Sequence, residues 1–448
     1  MKLEICTVGG FSEVGKNMTA IKYGNEVVIC DMGLHLPKII SFEEETPDMK
    51  RNEISKETLI DADAIPNDHF IEDWKLLTKA IVLGHCHLDH IGAVPYLAED
   101  YDCPIIGTPY TIEILKSILR DEKIKIKNPL KTLNANAKLK VSENITIEFI
   151  NITHSTLQCV LVAIHTPKGI IIYANDYKFD NNPTLGKKPN YARLKELGKT
   201  GKVIALIINA LYAEVHQKTP SENVAREMLK DVLLGTENKG HAIIVTTFAS
   251  HIARLKSVIE FGLKLKRKVI LLGRSMYKYV MAAERLNLID FSSQVEIVKT
   301  GKAARRRLSE ISKHRDQYLI VCTGNQGEPN AILTRMVMKE LDFKFKSKDH
   351  VIFSSHTIPD PINIVNRALV EERLLKQGVR IFKDIHVSGH GAREDHRDLI
   401  EMLNPKHIFP SHAGIDQLMH LAKLAVEIGY VLGKTVHIMH DGQMIDIE

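Results

Sequence analysis

The sequence predicts an α/β protein of more than one domain, with a parallel-sheet domain inserted into a chain that carries candidate metal ligands on both sides of it. Three observations predict this. Between about 200 and 355, apolar runs alternate with helical patterns: Val203 to Ile208, Ala242 to Phe248, Val269 to Leu272, Tyr318 to Cys322 and Val351 to Phe353. Such alternation is what strands of a parallel sheet covered by helices produce. On either side of that region, strand-like runs end in histidine or aspartate. The densest of these exits is Gly84-His85-Cys86-His87-Leu88-Asp89-His90, directly after Ala80-Ile81-Val82-Leu83. The expected division is 1–199, 200–355 and 356–448, the first and last parts forming one domain.

Composition narrows the class. The chain has 448 residues, 44% of them hydrophobic, enough for two or three domains. No apolar stretch reaches the roughly 18 residues a membrane span needs. The opening Met1-Lys2-Leu3-Glu4-Ile5 is not a signal peptide, so a cytoplasmic protein is expected. Cys6, Cys30, Cys86, Cys103, Cys159 and Cys322 form no Cys-x-x-Cys pair and read as reduced, buried small hydrophobes. The net charge of +5 is too mild to imply nucleic acid by itself. Two basic clusters stand out, Lys264 to Lys268 and Lys302 to Arg315. Solvated faces are the favoured reading of both, with phosphate contacts second.

From the start, Leu3-Glu4-Ile5 and Glu26 to Cys30 read as strands, with the glycine loop Gly9 to Asn17 as a hairpin turn between strands. Asp31 ends a buried strand before Gly33 and is a candidate for orienting a metal ligand from behind. Residues from about 36 to 75 are polar and weakly periodic, and read as a long loop. In the extended cluster His85 and His87 share a face and point at one metal, and a turn at Leu88 brings Asp89 and His90 to a second. A helix is expected from Thr111 to about Glu122. A strand from Ile145 to Ile152 ends at His154, and a hairpin, Cys159 to His165 and Gly169 to Tyr173, ends at Asp176. One histidine and one aspartate at strand tips are what the first cluster lacks, and a carboxylate between two cations can bridge them. His165 reads as a packed or hydrogen-bonded histidine.

Beyond 200, Thr219-Pro220-Ser221-Glu222 predicts a capping box with proline at the first helical position, and Gly235 the end of that helix. Asp360-Pro361 caps a helix to Gly378, and a strand from Ile381 to Val387 leads into Ser388-Gly389-His390-Gly391. A further helix through Ile400 stops before Pro405. His407-Ile408-Phe409 then leads to Pro410-Ser411-His412, so His390 and His412 complete the candidate set.

These segments resemble the β-CASP branch of the metallo-β-lactamase superfamily, and within it the ribonuclease J family in its shorter archaeal form. The resemblance runs along nearly the whole chain. It rests on the histidine cluster and on Gly10 to Asn17, Asp176 to Asp180, Thr246 to Ser250, Gly273-Arg274-Ser275-Met276, Ser388 to Gly391 and Pro410 to His412. It implies an αββα sandwich of two sheets between helices, with the inserted β-CASP domain. It also implies two zinc ions, with manganese or magnesium as alternatives. One would be held by His85, His87 and His154, and the other by Asp89, His90 and His412, with Asp176 shared. Asp31 would orient ligands, Asp89 would orient the attacking water, and His390 would stand near the scissile phosphate. Ser388, Gly389 and Gly391 would grip phosphate, with Phe248, Ser250, Arg274 and Ser275 facing the nucleotide.

The implied activity is 5′-to-3′ exoribonuclease action on single-stranded RNA with a 5′-monophosphate, in RNA decay and processing. Partners implied are a second copy in a homodimer and other RNA-decay factors. The chain departs from the family at Asn209, where an acidic residue usually ends the first strand of the insert; its amide oxygen can accept from the His390 ring, and Glu214 is a possible substitute. Ser155-Thr156-Leu157 also departs from the bacterial run after the histidine, and the extra C-terminal domain of bacterial relatives is not expected. Competing readings are an endoribonuclease of the cleavage-factor type, a small-molecule metallo-hydrolase, and an RNA-binding subunit without activity. The complete ligand set argues against the last.

Overall fold

Two sheets face each other across one apolar layer. The computed structural model describes residues 1–46, 53–299, 301–358 and 361–447. The first sheet contains β1 (Leu3–Gly9), β2 (Met18–Tyr23), β3 (Glu26–Cys30), β4 (Thr78–Leu83), β5 (Ile105–Gly107) and β6 (Leu130–Thr132), in that order. The C-terminal strand Gln443–Asp446 pairs antiparallel with the free edge of β1. The second contains β7 (Lys138–Lys140), β8 (Thr146–Asn151), β9 (Val160–Thr166), β10 (Gly169–Ala174), β11 (Val203–Asn209) and a strand at His407–Ser411 that lies beside β11. Strand alternation sends Leu3, Ile5, Val28 and Val82 of the first sheet against Phe149, Val162, Ile171 and Phe409 of the second. The opposite face of the second sheet buries Ile172, Leu206 and Ile208 against Leu194, Leu399 and Leu421 of three helices. The two sheets and their helices form the sandwich that the resemblance implies.

The third sheet is wholly parallel. It contains β12 (Ile243–Thr246), β13 (Lys268–Leu272), β14 (Glu296–Val298), β15 (Tyr318–Cys322), β16 (His350–Phe353) and β17 (Arg380–Phe382), in the order β14-β13-β15-β12-β16-β17. Helices connect its strands, as parallel pairing requires.

Contacts divide the chain into two units: 1–181, 186–219 and 389–448, and 182–185 with 220–388. These limits differ from the expected 200 and 355. The entirely buried β11 belongs to the first unit, because it pairs in parallel with β10 on one side and His407–Ser411 on the other. An apolar run shows that a strand is covered on both faces, but not which sheet accepts it.

Four further expectations are corrected. The stretch from 36 to 75 holds helices at Leu36–Glu45 and Lys56–Asp61 and a 3₁₀ segment at Asp68–Leu77. Each is too short to show a period, and each is started by its own side-chain cap, from His35, Ser55 and Asn67. In the helix Glu222–Leu234, Ser221 rather than Thr219 is the N-cap and Pro220 precedes it. Glu222 turns its carboxylate to Arg254 instead of closing a capping box. Finally, β17 stops at Phe382. Asp384 is left-handed, and the Ile385 carbonyl accepts from Ser354 and Arg254 rather than from a neighbouring strand. The expected Asp360 cap lies outside the described residues; the helix itself runs from Pro361 to Lys376.

Candidate metal centre

The ligand candidates all leave the first unit's sheets at strand ends. His85 and His87 follow β4, and the four-residue helix Leu88–Ile91 turns Asp89 and His90 back toward them. His154 follows β8, Asp176 follows β10, and His412 follows His407–Ser411 in a left-handed conformation with φ 56°. Two groups result: His85, His87, His154 and Asp176, and Asp89, His90, Asp176 and His412. Within each, the candidate ligand atoms lie within 4.8 Å of one another.

In the first group, Nδ1 of His87 is 3.0 Å from His85 Nε2 and 3.1 Å from His154 Nε2. Asp176 Oδ2 stands 3.4 Å from His85 Nε2, 3.3 Å from His154 Nε2 and 3.4 Å from His90 Nε2. In the second group, Asp89 Oδ2 is 3.5 Å from His90 Nε2 and 3.7 Å from His412 Nε2, while Asp176 Oδ1 is 3.5 Å from His412 Nε2. A tetrahedral zinc with bonds of about 2.0–2.1 Å to nitrogen has ligand atoms about 3.3 Å apart. The observed spacings fit that figure, and Asp176 belongs to both sets.

The second layer of contacts aims these rings. Asp31 Oδ2 is 2.7 Å from His90 Nδ1 and accepts from the Tyr173 hydroxyl at 2.9 Å, while Asp31 Oδ1 accepts from the Gly84 N–H at 2.8 Å. His154 Nδ1 donates to the Gly389 carbonyl at 2.7 Å. Asn17 Nδ2 donates to the Asp89 carbonyl at 3.0 Å, and the Asn17 amide faces His412 Nδ1, with Nδ2 at 2.7 Å and Oδ1 at 2.9 Å. Fixing one ring nitrogen in this way leaves the other bare for a metal. Asn17 and Tyr173 were not singled out from sequence. The glycine loop held the only signal for Asn17, and nothing marked Tyr173.

Electrostatics fit a cation in the same place. Burial pushes His87 down to about 3 and His412 down to about 4, and holds His154 well below its ordinary value, so these rings are neutral donors. Burial would raise Asp176, but His390, His412, His90 and His154 outweigh it and hold the carboxyl well below its usual range. For His90 burial acts downward, and Asp89, Asp176 and Asp31 overcome it to hold the proton well above its ordinary value. Asp31 and His90 are fully enclosed and Asp176 is nearly so. Carboxylates buried together are unfavourable unless a cation, or a proton such as that on His90, joins them.

His390 stands beside the groups, its Nδ1 3.6 Å from Asp176 Oδ1 and its ring 4.9 Å from that of His154. Burial lowers its pKa against the pull of Asp176 and Asp89. The loop carrying it is pinned by Thr219 Oγ1, which donates to the His390 carbonyl at 2.7 Å, and by Gly391 N–H on the Tyr177 carbonyl at 2.6 Å. Asn209 meets His390 through its amide nitrogen, not through the oxygen that was expected to accept from the ring. The Leu211 N–H occupies that oxygen. Glu214 accepts from Gln417.

The expected nucleotide-facing residues belong to the second unit, apart from Gly389 and Gly391. Phe248 and Ser250 follow β12, and Arg274 and Ser275, both exposed, follow β13. They share the carboxyl edge of the parallel sheet, where open α/β sheets hold ligands. Ser388 closes that unit. Several basic-cluster members have structural partners instead. Arg267 donates to the His241, Tyr318 and Asn238 carbonyls, Arg307 pairs with Glu296, and Arg315 with Asp349. His165 is likewise structural, at 2.7 Å from Glu148. All six cysteines are free and buried, and Cys86 turns away to Thr156.

Comparison with known proteins gives three family matches: the metallo-beta-lactamase superfamily over residues 14–177, the ribonuclease J beta-CASP domain over 240–371, and the Zn-dependent metallo-hydrolase RNA specificity domain over 379–439. Fold and site therefore define a β-CASP protein of the metallo-β-lactamase superfamily with a histidine–aspartate cluster able to bind metal. The chain is 45% identical to ribonuclease J of Methanocaldococcus jannaschii over 100% of its own length and 99% of the relative's, and 46% identical to that of Pyrococcus abyssi over 99% and 97%. It belongs to the ribonuclease J family. A crystal structure of a protein of unknown function from Enterococcus faecalis shares the fold, with a TM-score of 0.67 at 17% identity and full coverage of both chains.

Proposed function

We propose that this protein is a zinc-dependent ribonuclease that degrades single-stranded RNA from the 5′ end and prefers a 5′-monophosphate. The observation that carries the reading is the sharing of Asp176 between two ligand groups, with His390 beside it. Zinc held by the two groups would supply Lewis acidity toward a phosphodiester and lower the pKa of a water toward neutrality. Asp89 orients the attacking water. Asp31 acts through His90, keeping that ring turned to the second group. Gly389 acts through His154 in the same way for the first. His390 donates to the phosphate as charge develops on it, or to the leaving 3′-oxygen.

Preference for a monophosphorylated end rests on residue type: Ser388, Gly389, Gly391, Arg274 and Ser275 offer hydroxyl, backbone N–H and guanidinium donors of the kind that make charge-assisted bonds to phosphate. Phe248 and Ser250 serve the adjoining base and sugar. The same reading takes the protein to act in the cytoplasm as a homodimer, alongside other RNA-decay factors. Among the described residues no helix is long and apolar enough to cross a membrane.

Matched RNAs carrying a 5′-phosphate, a 5′-hydroxyl or no end at all, as a circle, test the proposal. Release of labelled mononucleotide from the 5′-phosphorylated RNA, with the circle intact, is expected. Labelled oligomers or a cut circle would assign internal cleavage instead, as in cleavage-factor relatives.

A further inference from the structure

Asn209, the last residue of β11, places its side chain between Asp176 and His390. Its Oδ1 accepts from the Leu211 N–H at 2.7 Å, and its Nδ2 lies 3.0 Å from Asp176 Oδ1 and 3.1 Å from His390 Nδ1. The amide orientation is forced from two sides. Turned over, its NH₂ would meet the Leu211 N–H and its oxygen would meet a carboxylate. Both are like-with-like contacts in a buried place, since Asn209 is only 1% exposed. The amide nitrogen has two protons and two acceptors in reach. Asp176 takes one proton, and His390 Nδ1 can take the other only through its lone pair. The proton of the neutral ring is then on Nε2. Asp176 Oδ1, at 3.6 Å, is too far from Nδ1 to hold a proton there instead.

We infer that Asn209 is a positioning residue that locks His390 in its Nε2–H tautomer, making the ring a fixed hydrogen-bond donor. A carboxylate in the same place would do the reverse. It would accept from Nδ1–H and leave Nε2 without a proton unless the ring were doubly protonated. The amide thus exchanges a proton shuttle for a permanent donor, suited to bracing a phosphate oxygen as charge builds on it. That catalytic consequence rests on the ribonuclease reading; the tautomer does not.

The test uses full-length, zinc-loaded protein labelled with ¹⁵N in histidine, with the His390 ring signals identified by their loss in His390→Gln. A bare Nδ1 and a protonated Nε2 are expected in the wild type. In Asn209→Asp the proton is expected on Nδ1. A wild-type ring protonated at Nδ1, or an unchanged pattern in Asn209→Asp, would overturn the assignment. The wild-type spectrum decides even if the variant does not fold. In kinetics on 5′-phosphorylated RNA, Asn209→Asp should lower kcat about 10²-fold with KM little changed, as loss of a donor used in the transition state does. An unchanged kcat would overturn the catalytic consequence. Because the tautomer is read without RNA, a protein that cuts no RNA but shows Nε2–H refutes the ribonuclease reading alone.

Discussion

His154 donates its Nδ1 proton to the carbonyl of Gly389, 2.7 Å away, although 235 positions separate the two residues. One end of this bond is a candidate metal ligand and the other lies in the loop that carries His390. Glycine is required there because an added Cβ would sit 2.7 Å from the Ser155 Cβ and 3.0 Å from its backbone nitrogen. Gly389→Ala should therefore displace the carbonyl and loosen His154. Loss of about 10–100-fold in metal affinity is expected, as for other changes behind a metal-bound imidazole. Competition with a chelator measures it, and unchanged affinity would detach the loop from the metal site.

Asp176 and His87 give a sharper outcome. Asp176→Ala should abolish RNA cleavage and remove metal from both groups, whereas His87→Ala should empty the first group first. Neither residue is part of the apolar layers, so circular dichroism should remain native. Metal content per chain, read beside activity, is the check. A variant that stayed active and metal-replete would refute the ligand set.

Stripping the metal from the wild type should lower the melting temperature, and adding zinc back should restore it. The physical cause is that Asp31, Asp89 and Asp176 then have only the proton on His90 to offset their mutual repulsion. A ligand that binds only the folded chain stabilises it by mass action. Calorimetry with and without chelator reads the shift.

Glu148 ties β8 to the following helix, accepting from Arg193 Nε at 2.7 Å and Nη2 at 3.0 Å, with His165 Nε2 at 2.7 Å. Burial would raise its carboxyl, but the bonds from His165 and Arg193 outweigh that and bring it down to about 2 from an ordinary 4.5. A depressed carboxyl stabilises the fold fully above the unfolded value near 4.5, and this contribution is lost as pH falls through about 2. Glu148→Gln should flatten the acid limb of stability between those values. It should cost on the order of 2 kcal/mol at neutral pH. Urea unfolding at several pH values tests both.

In the second unit, the fully buried Arg254 holds Glu222 through two bonds, at 2.6 Å and 2.9 Å. Arg254→Met leaves a carboxylate enclosed with no partner of its strength and should cost about 3–5 kcal/mol. The double variant Glu222→Gln with Arg254→Met should recover part of that loss. If the two single effects simply add, the pair is not coupled.

Much of this molecule was legible before any coordinates. Each strand exit that mattered carries its chemistry next to an apolar run. That is why His85, His87, His154, Asp176 and His412 could be named from local pattern, and why the hairpin from β9 to β10 and the helix Pro109–Glu122 lie close to where periodicity put them. Local pattern failed where elements were too short to repeat, as between 36 and 75. It failed again where a carbonyl was taken by a side chain, as at Ile385.

The sequence by itself determined the kinds of ligand, the sheet types and the family, because burial period and residue chemistry are written within a few neighbouring positions. Only the tertiary structure decided that β11 pairs with the sandwich, that Asp176 belongs to both ligand groups, and that Asn209 turns its NH₂ rather than its oxygen toward His390. The last depends on hydrogen-bond direction between residues 181 positions apart. The competing claim of a nearby backbone N–H, here that of Leu211, settles the direction.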